Sequence, residues 1–137
     1  MRALFDARKH KTMATLRKDG SPRISGMEVE FRDGDALLGM MGDSCKAKDV
    51  LRDPRLAVHS PTVDPPEGDD GTWPGEAKIA GRALEQRGDG PEGTPPGARF
   101  FAIDIDEVVL TTIGDPADHL VIESWHPGRG VERRERR

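Results

Sequence analysis

The chain has 137 residues, which is enough for about one domain with one modest hydrophobic core. Hydrophobic and charged residues each make up 34% of it and tyrosine is absent, so burial against a second copy would supplement a lean core. The net charge of −4 argues against general binding to nucleic acid.

The first third of the chain predicts one short helix followed by β-hairpins. Residues 1–10 form a short N-terminal helix in this interpretation, with Leu4 and Phe5 on its apolar side. The pairs Asp19-Gly20 and Asp33-Gly34 each lie between apolar stretches, which is the pattern of a tight hairpin turn. Residues 11–41 are therefore predicted to form a three-stranded meander.

The middle strand of that meander, residues 22–31, has an inconsistent alternation. Ile24 lies at an even position, whereas Met27, Val29 and Phe31 lie at odd positions. One extra residue in the strand would bring all four to the same face of the sheet. The sequence therefore predicts a β-bulge near residues 25–26.

A short helix is predicted over residues 44–52. Ser44, or alternatively Asp43, is a good N-cap, and Asp53-Pro54 ends the helix. Its predicted apolar face comprises Ala47, Val50 and Leu51. Lys46 and Lys48 lie in the first turns, although a helix N-terminus is already positive. Two lysines there would suit a bound anion such as a phosphate.

The second half of the chain predicts further strands at residues 55–60, 76–84, 99–113 and 119–125. Two polar, Pro/Gly-rich loops separate them, at 61–74 and 86–97. The predicted fold is mainly β: an antiparallel barrel of six to seven strands, with one short helix after the third strand and a short N-terminal helix. Residues 1–131 form a single domain in this interpretation. Residues 132–137, ERRERR, form a polar and largely solvated C-terminal tail, with disorder expected at the last few positions.

The composition also predicts a cellular compartment. Cys45 is the only cysteine, which excludes an internal disulfide and fits a reducing environment. The N-terminal residues lack the apolar stretch of a signal peptide, and no apolar run is long enough to span a membrane. We therefore expect a soluble, cytoplasmic protein.

Common catalytic and metal-binding motifs are missing from the sequence. It contains no glycine-rich dinucleotide or P-loop pattern, no nucleophile elbow and no HExxH. Its four histidines are scattered without metal-ligand spacing, so no metal site is predicted. We assign no catalytic residue from the sequence.

The segments LRKDGSPRISGMEVEF and LLGMMGDSCKAKDVLRDPRLAVHS carry a resemblance to a known family. An Asp-Gly-x-Pro hairpin and an apolar strand are followed by a Ser-x-Lys-Ala helix start, and the helix ends at an Asp-Pro pair. This order is similar to that of the flavin-binding split barrel of the pyridoxamine 5′-phosphate oxidase-like superfamily. The resemblance covers roughly residues 10–60, with a weaker echo in the terminal ESWHPGRG.

The resemblance implies a homodimer with cofactor sites at the subunit interface and a small-molecule substrate. The net charge and the lack of long apolar runs predict no nucleic-acid or membrane partner. It implies FMN as the cofactor, with the deazaflavin F420 as the alternative. Ser44 and Lys46 would hold the cofactor phosphate with Lys48 nearby, and a second subunit would contribute Trp125 and Arg129. The isoalloxazine ring would lie along the segment that carries Arg23, Ile24, Ser25 and Met27, with Met41 also in the site.

Three departures from the oxidase pattern limit what the resemblance implies. The oxidase has phosphate-binding arginines where this chain has Ser25 and Cys45, and a substrate-binding lysine where it has Glu30. Because arginine makes the strongest charge-assisted contacts to phosphate, oxidation of pyridoxamine phosphate itself is not predicted. The sequence instead favours an FMN- or F420-dependent oxidoreductase that acts on an unidentified small molecule. The alternative is a split barrel without enzymatic activity that binds or stores flavin or haem.

Overall fold

The computed structural model describes residues 1–88, 90 and 92–137. These residues form two α-helices, α1 (Arg2–Asp6) and α2 (Cys45–Arg52), and nine strands in one antiparallel sheet. The strands are β1 (Lys11–Leu16), β2 (Pro22–Met27), β3 (Val29–Arg32), β4 (Asp35–Met41), β5 (Arg55–His59), β6 (Glu76–Gln86), β7 (Ala98–Ile113), β8 (Leu120–His126) and β9 (Gly130–Arg136). The predicted mainly-β antiparallel fold with two short helices is confirmed. The predicted loop over 86–97 includes Asp89 and Pro91, which lie outside the described residues.

The two predicted hairpin turns are confirmed. Asp19-Gly20 lies in the turn between β1 and β2, and Asp33-Gly34 joins β3 to β4. Gly20, Asp33 and Gly34 have φ values of 83°, 51° and 86°. Glycine adopts positive φ without steric cost and aspartate tolerates it, so these residue types suit the turns.

The predicted three-stranded meander is wrong, because its middle strand is divided at Glu28. The sheet order is β2-β1-β5-β6-β7-β4-β3, so β2 and β3 are adjacent in the chain but lie at opposite ends of this path. Glu28 connects the two end strands, β2 and β3, along the chain, but these strands do not pair with each other. The described strands therefore do not form a closed barrel.

The predicted bulge at residues 25–26 is also wrong. The β1–β2 register runs without interruption through Met13↔Ser25 and Thr12↔Gly26. Ile24 instead points outward and is 74% exposed, while Met27 is buried. The inconsistent alternation is thus resolved by leaving an apolar side chain in solvent.

The barrel divides along β7. β6 follows one edge of β7, while the other edge pairs first with β4, over residues 98–102, and then with β8, over residues 108–113. The β6–β7 register shifts between Ala80 and Gly81, next to the change of partner. At Gly81 a β-carbon would lie 2.0 Å from the main-chain oxygen of Asp104, so only glycine allows this approach.

Gly81→Ala is therefore expected to lower the free energy of unfolding by about 1–3 kcal/mol, since the two backbones must separate to admit the methyl group. Gly26→Ala is the matched control, because a β-carbon at Gly26 meets no atom within 4 Å. Thermal or urea denaturation would measure both variants. Equal stability of the two would contradict the close approach at Gly81.

The core lies between the inward faces of the strands and is closed by the two helices. Phe5 of α1 is fully buried and packs edge-on against Phe31, with the ring centroids 5.5 Å apart. Ala47 and Val50 of α2 are buried as predicted, but Leu51 is 46% exposed and Asp49 is buried in its place. The predicted apolar face of α2 is therefore wrong at Leu51. Other fully buried core side chains are Met13, Leu38, Val58, Ile79 and Phe101.

The last residues of the chain form strand β9, which extends to Arg136. β9 pairs with β8 along its whole length, from His126↔Gly130 to Leu120↔Arg136. Its side chains are mostly exposed, as expected for a polar segment. Backbone pairing needs no apolar side chain, and charges are typical of an edge strand. The described residues form nine strands, whereas six to seven were predicted, because β9 is additional and the predicted middle strand of the meander is two strands, β2 and β3.

No helix in the described residues is long and apolar enough to cross a membrane.

Candidate cofactor groove

A groove of about 830 Å³ lies against the outer face of β4, and we call it the β4 groove. Its floor is formed by the outward-facing Leu37, Gly39 and Met41 of β4 and by Phe100 of β7. Members of the segment 26–32 line one side, and the described residues Arg87, Gly88, Gly90, Thr94 and Pro95 line the other. This volume is within the usual range for sites that bind small molecules and cofactors.

Two glycines pack closely against the ring of Phe100. A β-carbon at Gly39 would lie 3.2 Å from a ring carbon of Phe100, and one at Gly90 would lie 2.4 Å from it. Phe100 therefore packs between two backbone segments that carry no side chain. Leu37, Met41 and the edge of this packed ring give the groove an apolar floor, which suits an aromatic ligand.

Ser44 and Lys46, at the N-terminus of α2, lie at one end of the groove. The Ser44 hydroxyl accepts a hydrogen bond from the Ala47 amide (3.3 Å) and donates one to the main-chain oxygen of Met41 (2.7 Å). Lys46 Nζ donates to the main-chain oxygen of Gly26 at 2.8 Å, which joins α2 to β2. Helix geometry leaves the first backbone amides of α2 without intrahelical acceptors. This end of the groove is therefore positive and rich in donors.

A buried carboxylate holds α2 in place. The side chain of Asp49 is only 2% exposed, and its Oδ2 accepts hydrogen bonds from Thr15 Oγ1 (2.8 Å) and Arg23 Nε (2.7 Å). Its Oδ1 accepts from Arg52 Nη2 at 3.1 Å. These contacts join the helix to the β1–β2 hairpin. They thereby set the position of Ser44 and Lys46 at the groove.

The hydrogen bonds to Asp49 also decide its charge. Burial alone raises the pKa of the Asp49 carboxyl, but hydrogen bonds from Arg23 and Thr15 and the charge of Arg52 outweigh it. The net effect lowers the pKa of Asp49 below the ordinary value of 3.8. Asp49 is therefore ionised at neutral pH.

No protein-family model and no curated protein sequence matches the chain. Solved structures do match it. An FMN-binding protein from Nostoc punctiforme, related to pyridoxamine 5′-phosphate oxidase, aligns with a TM-score of 0.67 at 13% identity, over 99% of this chain and 90% of its own. PhzG from Burkholderia lata aligns with a TM-score of 0.66 at 10% identity, over 93% and 81%. A haem-binding protein from Mycobacterium smegmatis aligns with a TM-score of 0.59 at 13% identity, over 98% and 85%.

This chain has the pyridoxamine 5′-phosphate oxidase-like fold. The structures that share this fold include both FMN-binding and haem-binding proteins. The fold alone therefore does not determine which cofactor binds. The choice of cofactor depends on the residues that line the groove.

Four of the ten residues predicted from the resemblance line the β4 groove of this oxidase-like fold: Met27, Met41, Ser44 and Lys46. The other six are absent from its described lining: Arg23, Ile24, Ser25, Lys48, Trp125 and Arg129. The Arg23 guanidinium pairs with Asp49, and Lys48 is exposed on α2. Cofactor contacts for these six residues stay predictions.

Trp125 lies far from Phe100 of its own chain. Trp125 pairs with Val108, whereas the groove contains Phe100, eight positions earlier on β7. Eight residues of extended strand span roughly 26 Å. Trp125 of one chain could therefore contact only the groove of another copy.

Sequence reasoning missed several residues of the site. Phe100 lies in an alternating strand, and its outward position relative to the buried Phe101 could have been inferred from that alternation. Asp49 gave no such signal, because an aspartate between Lys48 and Val50 resembles an exposed helix residue. Three charged residues on the groove wall were also missed: Glu28, Arg32 and Arg87.

Proposed function

We propose that this protein binds FMN in the β4 groove and acts as a homodimeric, flavin-dependent oxidoreductase on a small molecule. One observation carries the proposal. Lys46 and the first backbone amides of α2, which follow its N-cap Ser44, lie at the same groove as the apolar floor around Phe100. A ligand with a planar ring at one end and a phosphate at the other matches this arrangement.

The residues present fit the chemistry of FMN. Lys46 and the free backbone amides of α2 would hold the phosphate, since both favour an anion. Leu37, Met41 and Phe100 would pack against the flavin ring. The hydrogen bond from Lys46 to Gly26 keeps the ammonium at the groove before any ligand binds.

Bound FMN would supply the capacity to accept or donate a hydride. The chain would contribute binding and orientation. Asp49 keeps α2 fixed, so the phosphate-binding residues do not have to reorganise on binding. The apolar floor would exclude water from the face of the ring that it covers.

A second subunit would complete the site. Several large apolar side chains are exposed in the single chain: Ile24 (74%), Met41 (45%), Leu51 (46%), Trp125 (36%) and Val131 (69%). Met41 lies in the groove itself, so a surface that covers it would also enclose the ligand.

We expect light scattering at micromolar concentration to give twice the 15.0 kDa mass of the chain. Burial of the exposed apolar side chains would drive this association. Trp125→Ala is expected to weaken the dimer, whereas Arg8→Ala, an exposed residue at the end of α1, leaves it unchanged. A monomer mass for the wild-type protein would contradict a shared site.

The absorption spectrum of the purified protein tests the cofactor. We expect flavin bands after purification or after addition of FMN, with quenching of flavin fluorescence on binding. Haem is the competing ligand, because His10 lines the groove and haem-binding proteins share the fold. A Soret band that forms on addition of haem, without any response to FMN, would overturn the proposal.

A further inference from the structure

Arg87 differs from the other charged residues that line the β4 groove. Glu28 Oε1 forms an ion pair with Lys9 Nζ at 3.3 Å. Glu30 Oε1 accepts hydrogen bonds from Arg32 Nη2 (2.6 Å) and Arg32 Nε (3.1 Å). Within the described residues, no carboxylate or hydrogen-bond acceptor contacts the Arg87 guanidinium. Its charge is therefore available to a ligand.

The strand register brings Arg87 to the same end of the groove as α2. The last β6–β7 pair is Gln86↔Phe100, and β7 pairs with β4 through Ala98↔Met41. Arg87 follows Gln86, so it lies about two strand spacings, roughly 10 Å, from the end of β4.

A backbone hydrogen bond holds the far end of the same loop close to α2. The Gly42 amide donates to the main-chain oxygen of Gly97 at 3.0 Å. Ser44, the N-cap of α2, follows two residues later. Gly97, which directly precedes β7, and the N-terminus of α2 are therefore joined at this end of the groove.

The charge of a phosphate calls for a second cation. A phosphate monoester carries about −1.5 to −2 at neutral pH. Lys46 supplies one positive charge, and the N-terminus of α2 supplies about half of another. A guanidinium presents paired donors that match phosphate oxygens, so it would compensate the remaining charge.

We infer that Arg87 binds the phosphate of FMN from the loop side of the groove, opposite Lys46. This inference rests on the proposed function and adds a residue that the sequence did not indicate. It extends the proposed cofactor site to the residue that directly follows β6. Arg87 would then act on binding and not on the chemical step.

Titration of the full-length protein with FMN and with riboflavin tests the inference, because riboflavin has the same ring and no phosphate. Arg87→Ala is expected to weaken FMN binding about tenfold and to leave riboflavin binding unchanged. Arg87→Lys keeps the charge but loses the paired donors, so its affinity for FMN should be intermediate. Arg8→Ala is the matched control for loss of an exposed arginine.

Two results would overturn the role of Arg87 while the proposed function stands. One is wild-type affinity for FMN in Arg87→Ala. The other is an equal loss of FMN and riboflavin affinity, which would place Arg87 at the ring or in support of the loop. If the wild-type protein binds neither flavin, the proposed function fails, and the inference fails with it.

Discussion

Asp49→Ala is expected to lower the free energy of unfolding by about 2–4 kcal/mol. The substitution leaves the buried Thr15 hydroxyl without its acceptor and removes the carboxylate that pairs with Arg23 and Arg52. Because both guanidiniums are partly exposed, water compensates part of the loss, and the effect falls below that of a fully buried ion pair. Urea denaturation followed by circular dichroism measures the change.

Two further variants make the Asp49 test specific. Asp49→Asn keeps the shape of the side chain and removes the charge, so it should also destabilise the fold. Asp64→Asn, in an exposed loop, makes the same chemical change and should alter stability by less than about 0.5 kcal/mol. Wild-type stability in Asp49→Asn would show that the ion pairs with Arg23 and Arg52 contribute nothing.

The carboxylates of Asp49 and Asp53 predict that the folded protein loses stability in acid. Asp49 has a lowered pKa in the folded state, and hydrogen bonds from Arg55 lower the pKa of Asp53 to about 2. A lowered pKa means that the stabilisation is complete above the unfolded value of 3.8 and is lost as the pH falls through the folded value. Stability should therefore decline between about pH 4 and pH 2. Asp49→Asn should reduce the slope in that range.

Lys46→Ala is expected to weaken FMN binding by about 10- to 100-fold, or about 1.5–3 kcal/mol. In the proposed site, the substitution would remove a charge-assisted contact to the phosphate. The apo protein should change little, because the hydrogen bond from Lys46 to Gly26 is exposed and a cation leaves the positive end of a helix. Fluorescence titration with FMN and the melting temperature of the apo protein measure the two effects.

Lys48→Ala is the matched control for Lys46, since Lys48 is exposed on the same helix outside the groove lining. Its affinity for FMN should stay close to that of the wild type. Ser44→Ala should weaken FMN binding and also cost the apo fold about 1 kcal/mol, because the side chain caps α2. Equal FMN affinity in the Lys46 and Lys48 variants would show that Lys46 does not bind the phosphate and only connects α2 to β2 through its hydrogen bond to Gly26.

Local features of this protein followed from the sequence alone. The turns at Asp19-Gly20 and Asp33-Gly34, the N-cap Ser44 and the end of α2 at Asp53-Pro54 all lie where predicted. Each depends on the backbone angles and hydrogen bonds of a few consecutive residues. Such preferences act before any tertiary contact forms, so they can be inferred from the order of residue types.

The site was only partly accessible to the same reasoning. The resemblance indicated Ser44 and Lys46, which line the groove, but the sequence could not show that Arg23 pairs with Asp49. Residues 23 and 49 come together only when α2 packs on the β1–β2 hairpin. An aspartate that is buried against an arginine and one that faces solvent look identical in sequence.

Only the tertiary structure decided where the predicted strands lie. The division at Glu28, the pairing of β9 with β8 and the floor formed by Gly39 under Phe100 depend on residues that are distant in the chain. A strand gains its hydrogen bonds from whichever partner the whole sheet provides, so its own side-chain alternation does not name that partner. The turns and caps of this protein were thus determined by neighbouring residues, whereas its groove was determined by sheet pairing and packing.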